Sequence, residues 1–388
     1  MSTYQHMPIL PVEAYTSQEW LDREKRIIFG NSWQFAGFME DLSDPGDYLT
    51  VQCGFQNILV VKGRDQRLRA FHNLCRHRGT QLLRAVGKKQ KALTCPYHDW
   101  TYDLAGQLIS VPEKEKEFPD LEMDEICLHK ASVDIWRGMI WVHPKADASS
   151  IIHYFDGISE HLGPHDPTRL MEYPDTSSEK LIKANWKIVV ENYIDVYHLA
   201  HLHSNTLQMY DHAKAEFGFV NDHYMFWEPL VKKYQDNLDK LIPYKRIAEM
   251  TDEYLGAYVP WLFPSLGLSE TESTWSIFHV IPLAPDLTKV ILRSKLEPMT
   301  DWEYMKVGMK SGEAWKKIMG MDTKYKSDDP NDPMASGDFM EEDIFACEQQ
   351  QKSLTNPLFS IAASARHGES SIRSFQQIIA KWMNVEQK

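Results

Sequence analysis

Four side chains that bind soft or borderline metals fall in two tight pairs: Cys75 and His77 in "LCRHRGTQLL", residues 74–83, and Cys95 and His98 in "LTCPYHDWTY", residues 93–102. Zinc takes two thiolates and two imidazoles in a tetrahedral structural site, but its common arrangement keeps Cys with Cys and His with His. Here each pair holds one of each, with one residue inside the first pair and two inside the second. A binuclear iron–sulfur cluster accounts for that layout. If each turn gives one ligand to each iron, one iron collects both thiolates and the other both imidazoles.

A second group lies in "NWKIVVENYIDVYHLAHLH", residues 185–203, which places Asp195, His198, His201 and His203 on one expected helix. A single histidine in such a segment reads as a core or interface residue. Three within six residues, after an acid, point to a metal. On a regular helix His198 and His201 lie about 60° apart, and His198 and His203 about 140°. Helical geometry therefore favours the first pair, and the second requires a helix that distorts or ends between its members. A third ligand should be a carboxylate, because two histidines and one carboxylate on one face leave the opposite positions open. The stretch "SGDFMEEDIFACEQQQKSL", residues 336–354, offers Asp338, Glu341, Glu342 and Asp343. Projected as a helix, Met340, Ile344, Cys347 and Leu354 form an apolar stripe that contains Asp343, whereas Glu342 points to the back. A buried carboxylate is costly unless a cation accepts it, which selects Asp343. Asp338 reads as an acid favoured at a helix N-terminus.

"CRHRG" and "CPYHDW" resemble the Cys-x-His … Cys-x-x-His signature of Rieske proteins of the ring-hydroxylating oxygenase type, and the resemblance covers nearly the whole chain. It implies that Cys75 and Cys95 bind the inner iron of a [2Fe-2S] cluster, and His77 and His98 the outer iron. The family commonly has Gly where Asp99 stands, and Asp tolerates left-handed backbone angles. "DVYHLAHLH" is similar to the family's Asp/Glu-x-x-His-x₄-His motif. That similarity implies that His198 and His203, with His201 as the fallback, hold a mononuclear Fe(2+) together with Asp343. Asp195 would then be no ligand, but would hydrogen-bond His198 and, across a subunit boundary, His98 of a neighbouring chain.

By the same resemblance the protein is expected to be the terminal oxygenase component of a multicomponent enzyme. Electrons from NAD(P)H arrive through a separate reductase or ferredoxin, and O2 is used to mono- or dioxygenate, or oxidatively demethylate, a small organic substrate. Aromatic compounds and quaternary amines both suit an aromatic-rich pocket, for which Met209, Tyr210, Phe217, Phe219, Trp227, Trp261 and Phe278 are candidates. A homotrimer is implied, with β subunits in some relatives. Two rival readings remain at this stage: a Rieske electron-transfer protein without oxygenase activity, which leaves most of the chain unexplained, and a zinc-binding structural module, which leaves the second histidine group unexplained.

The elements that must position these groups are those of an α+β chain. With 388 residues, 43% hydrophobic and 25% charged, it is long enough for two domains. "SQEWLDREKRIIF" predicts a helix over 17–29, stopped by Gly30 and Asn31. From 45 to 142 short alternating runs separated by Gly, Pro, Asp and Asn predict a β-rich module containing both Cys/His pairs. "PKADASS", residues 144–150, reads as a linker. Beyond it come strands around 273–284 and 289–298, helices around 185–203, 301–320 and 337–354, and a polar loop over 324–338. The expected division is a helical segment over 1–35, a Rieske domain over 36–145 and, over 146–388, a catalytic domain with an antiparallel sheet covered by helices, of helix-grip type.

A net charge of −13 with scattered basic residues argues against a nucleic-acid partner. No apolar run approaches the roughly 20 residues of a membrane span. Five cysteines, an odd count without a secretory signal ahead of them, argue against a disulfide framework and for a cytoplasmic location. No Gly-x-Gly-x-x-Gly stretch follows a strand, so the reductant's electrons must enter from another protein.

Overall fold

The run "NILVV" is continuously apolar because its strand is covered on both faces. In a computed structural model the strand Gln56–Lys62 sends Ile58 and Val60 into one buried cluster and Leu59 and Val61 into another, as the two-residue period of a strand requires. Residues 9–242, 244–307, 327–329, 331–361 and 363–385 are described. By the density of its contacts the chain forms two units, Asp22–Asp156 and Met1–Leu21 together with Gly157–Lys388.

The first unit is built on a seven-stranded antiparallel sheet, in the order Gln34–Phe38, Met139–His143, Lys130–Trp136, Leu68–His72, Gln56–Lys62, Tyr48–Cys53 and Val86–Gly87. A three-stranded sheet of Leu93–Thr94, Thr101–Tyr102 and Leu108–Ser110 carries the second Cys/His pair on its first turn. The segment read as a linker at 144–150 does not end this unit. The short helix Ile151–Tyr154 follows it, and Phe155 packs its ring against Trp136 and Trp141 at 4.5 and 4.8 Å. Trp33 also donates from Nε1 to the Ser149 carbonyl. Aromatic packing thus draws the chain to Asp156 into this unit.

The second unit has an eight-stranded antiparallel sheet, running Met171–Ile182, Leu287–Leu296, Trp275–Ala284, Leu266–Glu270, Gly256–Tyr258, His223–Pro229 and Glu216–Val220, with Trp261–Leu262 paired beside it. The helix Trp186–Ile194 lies on this sheet through Tyr193, whose ring meets those of Trp261 and Phe278. Two further helices, Phe339–Ser353 and Ser370–Trp382, pack on it. Cys347 reaches the Ile188 carbonyl, and Phe375 meets Trp186 edge-on. The chain is therefore α+β, with mixed helices and antiparallel sheets, as expected.

Three helical expectations change in detail. The N-terminal helix is α-helical over Gln18–Glu24 and continues as a π-helical turn over Lys25–Phe29. A helix covers 301–307, and the rest of the expected 301–320 lies outside the described residues. The single helix expected over 185–203 is two. The first is capped by Asn185, whose side chain accepts the Lys187 N–H, and it stops at Ile194. Asp195 turns extended and takes the Tyr197 N–H on its own carboxylate, while the Val196 N–H goes to the Gly368 carbonyl. With those two amides diverted from the i−4 ladder, the helix cannot continue.

Candidate metal centres

The two Cys/His loops are near copies of one another. In each, the residue four after the cysteine returns its N–H to the cysteine carbonyl, Gly79 to Cys75 at 2.8 Å and Asp99 to Cys95 at 3.1 Å. In each, that residue is left-handed, with φ of +73° at Gly79 and +53° at Asp99. The cysteine N–H in turn donates to the carbonyl five residues on, that of Thr80 or Trp100. This is why Asp can stand at 99: its backbone tolerates the angle better than that of most residues with a side chain.

The loops bury the thiols, with Cys75 3% and Cys95 2% exposed, and leave His77 and His98 half-buried with their Nδ1 atoms 3.1 Å apart. Burial pushes the Cys75 thiol pKa up, the Tyr102 hydroxyl and the His77 amide pull against it, and nearby Cys95 adds to the rise. Two thiolates here need a positive partner. Burial, His98 and Arg78 together push His77 down, which favours the neutral imidazole that a metal requires. His77 stacks on Trp100 with centroids 4.9 Å apart, and the Tyr102 hydroxyl accepts the Arg76 N–H, so core residues set the loop's orientation. The donor set and its depth fit a cluster held by thiols within and imidazoles without.

The second constellation comes from distant parts of the chain. His198 caps the start of the one-turn helix Leu199–Leu202, and His203 ends it. The helix terminus closes the angle, and the two rings lie 5.0 Å apart. Asp343, from the helix Phe339–Ser353, places Oδ1 at 3.0 Å from His203 Nε2 and 3.5 Å from His198 Nε2. One ligand atom from each of the three lies within 4.8 Å of the others. His201 is not part of the group; its ring lies against Tyr197.

Each imidazole is held from behind by a second carboxylate. His198 Nδ1 meets Asp195 Oδ2 at 3.2 Å, and His203 Nδ1 meets Glu342 Oε2 at 2.8 Å. An Nδ1–H given to a carboxylate leaves Nε2 with its lone pair facing the centre. Thr206 donates to the same Glu342 oxygen at 3.0 Å, and Asn192 donates to Asp343 Oδ1 at 3.2 Å. Burial lowers the pKa of His203, which is 1% exposed, but the hydrogen bonds with Asp343 and Glu342 outweigh it and push it up to about 9. The same carboxylates that raise it would favour a cation between the three groups.

The expectation that Glu342 faces away is thus overturned: it is 6% exposed and holds His203. The apolar stripe misled because the helix is buried on two sides, and a glutamate needs only one partner to be accommodated. The one signal for it in the sequence was its place directly before Asp343. Asp338 is the N-cap, its carboxylate accepting the Met340 N–H at 2.9 Å, and Glu341 pairs with Lys180.

A cavity of about 410 Å³ opens on this centre and is lined by His198, His203 and Asp343. Of the aromatic and apolar candidates, Met209, Tyr210 and Phe278 line it, but Phe217, Phe219, Trp227 and Trp261 do not. Trp261 is fully buried core, and Trp227 lies against Tyr258. Pairing across strands sets which aromatics face inward, and that register is invisible in composition.

Comparison with known proteins identifies the families of the two domains. The Rieske [2Fe-2S] domain family matches residues 32–133, and the ring hydroxylating alpha subunit (catalytic domain) family matches residues 158–385. The oxygenase subunit of carnitine monooxygenase from Escherichia coli (strain K12) is 26% identical over 289 residues, 72% of each chain. The alpha subunit of biphenyl 2,3-dioxygenase from Rhodococcus jostii (strain RHA1) is 32% identical over 192 residues, 47% of this chain and 41% of that one. Among solved structures, the quaternary ammonium Rieske monooxygenase CntA superposes with a TM-score of 0.75 at 20% identity, over 97% of this chain and 95% of that one.

Proposed function

This chain belongs to the ring-hydroxylating oxygenase α-subunit family, with a Rieske domain ahead of the catalytic domain, and on that footing we propose that His198, His203 and Asp343 form the centre at which a small organic substrate is oxygenated. The protein is a Rieske terminal oxygenase, an oxidoreductase that carries a [2Fe-2S] cluster and iron and draws electrons from a separate reductase or ferredoxin. The observation that carries the residue assignment is the convergence of three ligand atoms in the wall of a substrate-sized cavity.

His198, His203 and Asp343 would hold ferrous iron, which would supply the activation of O2. Around it the chain's own residues have distinct tasks. Asp195 and Glu342 fix the two imidazoles with Nε2 forward, and Asn192 restrains the Asp343 carboxylate. The apolar wall excludes water from the reacting face. In the other unit Cys75, Cys95, His77 and His98 would hold the [2Fe-2S] cluster, which would supply the electrons. We assign to Asp195 the further task of meeting His98 of a neighbouring subunit in a homotrimer, so that a hydrogen-bonded path joins cluster and iron. A cytoplasmic location accords with the free cysteines, and among the described residues no helix is long and apolar enough to cross a membrane. Relatives are named for quaternary amines and for aromatic compounds, and a cavity of about 410 Å³ accommodates either kind of molecule.

The test is a metal count on anaerobically purified protein. About three irons and two acid-labile sulfides per chain are expected. Two irons would reduce the protein to an electron carrier, and stoichiometric zinc without colour would remove both centres.

A further inference from the structure

The cavity has walls of two kinds. One is apolar, including Leu207, Phe226, Leu230 and Val259. The other is a row of hydroxyls: Ser269, Ser276 and Ser294 sit opposite one another on three adjacent strands, with the Oγ atoms of Ser276 and Ser294 2.7 Å apart. The turn over 271–274, which joins two of those strands, adds Thr271, Glu272, Ser273 and Thr274 to this wall.

Glu272 stands apart from the other charged groups that line the cavity away from the metal centre. Lys180 is paired with Glu341 at 2.9 Å, and Glu228 with His212 Nδ1 at 2.7 Å. Glu272, 5% exposed, meets the Tyr210 hydroxyl at 3.5 Å with one oxygen, while the other, Oε1, is buried without a hydrogen-bond partner. The guanidinium of nearby Arg246 is turned to Asp252 at 2.9 Å. Burial pushes the Glu272 pKa up to about 7, and the nearby backbone amides, the Tyr210 hydroxyl and the charge of Arg246 pull only partly against it. A buried carboxylate with no ion-pair partner is destabilising, and a cation in the cavity that Glu272 lines offsets that cost. We infer that the cavity takes a substrate with a cationic amine head group, and that Glu272 with Tyr210 receives the charge while the apolar wall holds the body of the molecule. The inference rests on the oxygenase reading above, and narrows it from small organic molecules to organic cations.

Isosteric probes test it directly. The holoenzyme is titrated calorimetrically with choline against 3,3-dimethylbutan-1-ol, and with benzyltrimethylammonium against neopentylbenzene; each pair differs by nitrogen for carbon and thus by one charge. At least one cation should bind about tenfold or more tighter than its isostere, equivalent to about 1.4 kcal/mol, and Glu272→Gln should bring that pair within about twofold without weakening the neutral probe. Parity in both pairs for the unaltered protein, tighter binding of the neutral member, or a preference that survives Glu272→Gln would overturn the inference. The comparison in the unaltered protein stands even if the variant fails to fold. Iron counted in the same preparation separates the two readings: parity with a full iron complement refutes only the cation site, whereas missing mononuclear iron refutes the oxygenase assignment whatever the probes do.

Discussion

The two constellations proposed to bind metal differ in how far the chain must travel to make them. The Cys/His loops are each completed within five residues, by backbone hydrogen bonds that a left-handed Gly79 or Asp99 makes available. The His/His/Asp centre joins residues 140 positions apart and depends on one helix breaking at Asp195 and another docking beside it. That docking is made by buried contacts: the Asn185 N–H donates to Gln351 at 2.8 Å, and Cys347 packs on the Ile188 carbonyl. A local turn carries its instructions in its own residues, whereas a site built by packing inherits them from everything that packs.

The contrast can be broken most forcefully by removing one ligand from each centre. His203→Ala should abolish turnover and remove one iron per chain while leaving the Rieske EPR and visible spectrum, and Cys95→Ala should do the converse; loss of both signals in either variant would end the two-site description. Asp195→Asn should retain both metal complements but slow electron delivery, lowering turnover by up to about 100-fold, as loss of a carboxylate behind a ligating histidine does. Reduction of the mononuclear centre followed by stopped-flow spectroscopy reads this out, and an unchanged rate would remove Asp195 from the path. Glu342→Gln should weaken iron affinity by about tenfold, since the amide still reaches His203 but without charge; chelator competition measures it.

On the local side, Asp99→Gly should keep the cluster and gain up to about 1 kcal/mol, whereas Asp99→Val, β-branched at a positive φ, should loosen it. Cluster loss on heating, followed by visible absorbance, ranks the two. The smallest effect is a pH slope. Burial pushes Glu191 up to about 7 from the ordinary 4.5 of a glutamate, against hydrogen bonds from Tyr15 and Gln376 and the charge of Lys187. Because the folded value lies above the unfolded one, its contribution is fully present below about pH 4.5 and is lost as pH rises through about 7. Glu191→Gln should flatten that part of the curve of denaturation midpoint against pH, and an unchanged slope would contradict the assignment.

Much of this was legible in the residues. The mixed Cys/His pairs, the histidine cluster and Asp343 were all picked out by type and spacing, and the β-rich texture of 45–142 foretold the sheets of the first unit. What was misread shares one origin. Whether residues 185–203 form one helix or two turned on Asp195 capturing the Tyr197 amide and on Gly368, far along the chain, accepting from Val196. Glu342 was set aside on a helical projection that knew the stripe but not the neighbours. The first unit runs on past its polar segment at 144–150 because the Phe155 ring packs on Trp136 and Trp141.

By itself the sequence determined which side chains are candidate ligands and the conformation of each Cys/His loop, because a turn's dihedral angles answer to residues only a few bonds away. The tertiary structure decided which histidines share a carboxylate, which acids stand behind them, and which glutamate lines the cavity without an ion-pair partner. Those choices depend on distances between segments that only the burial of side chains fixes, and no local spacing encodes them.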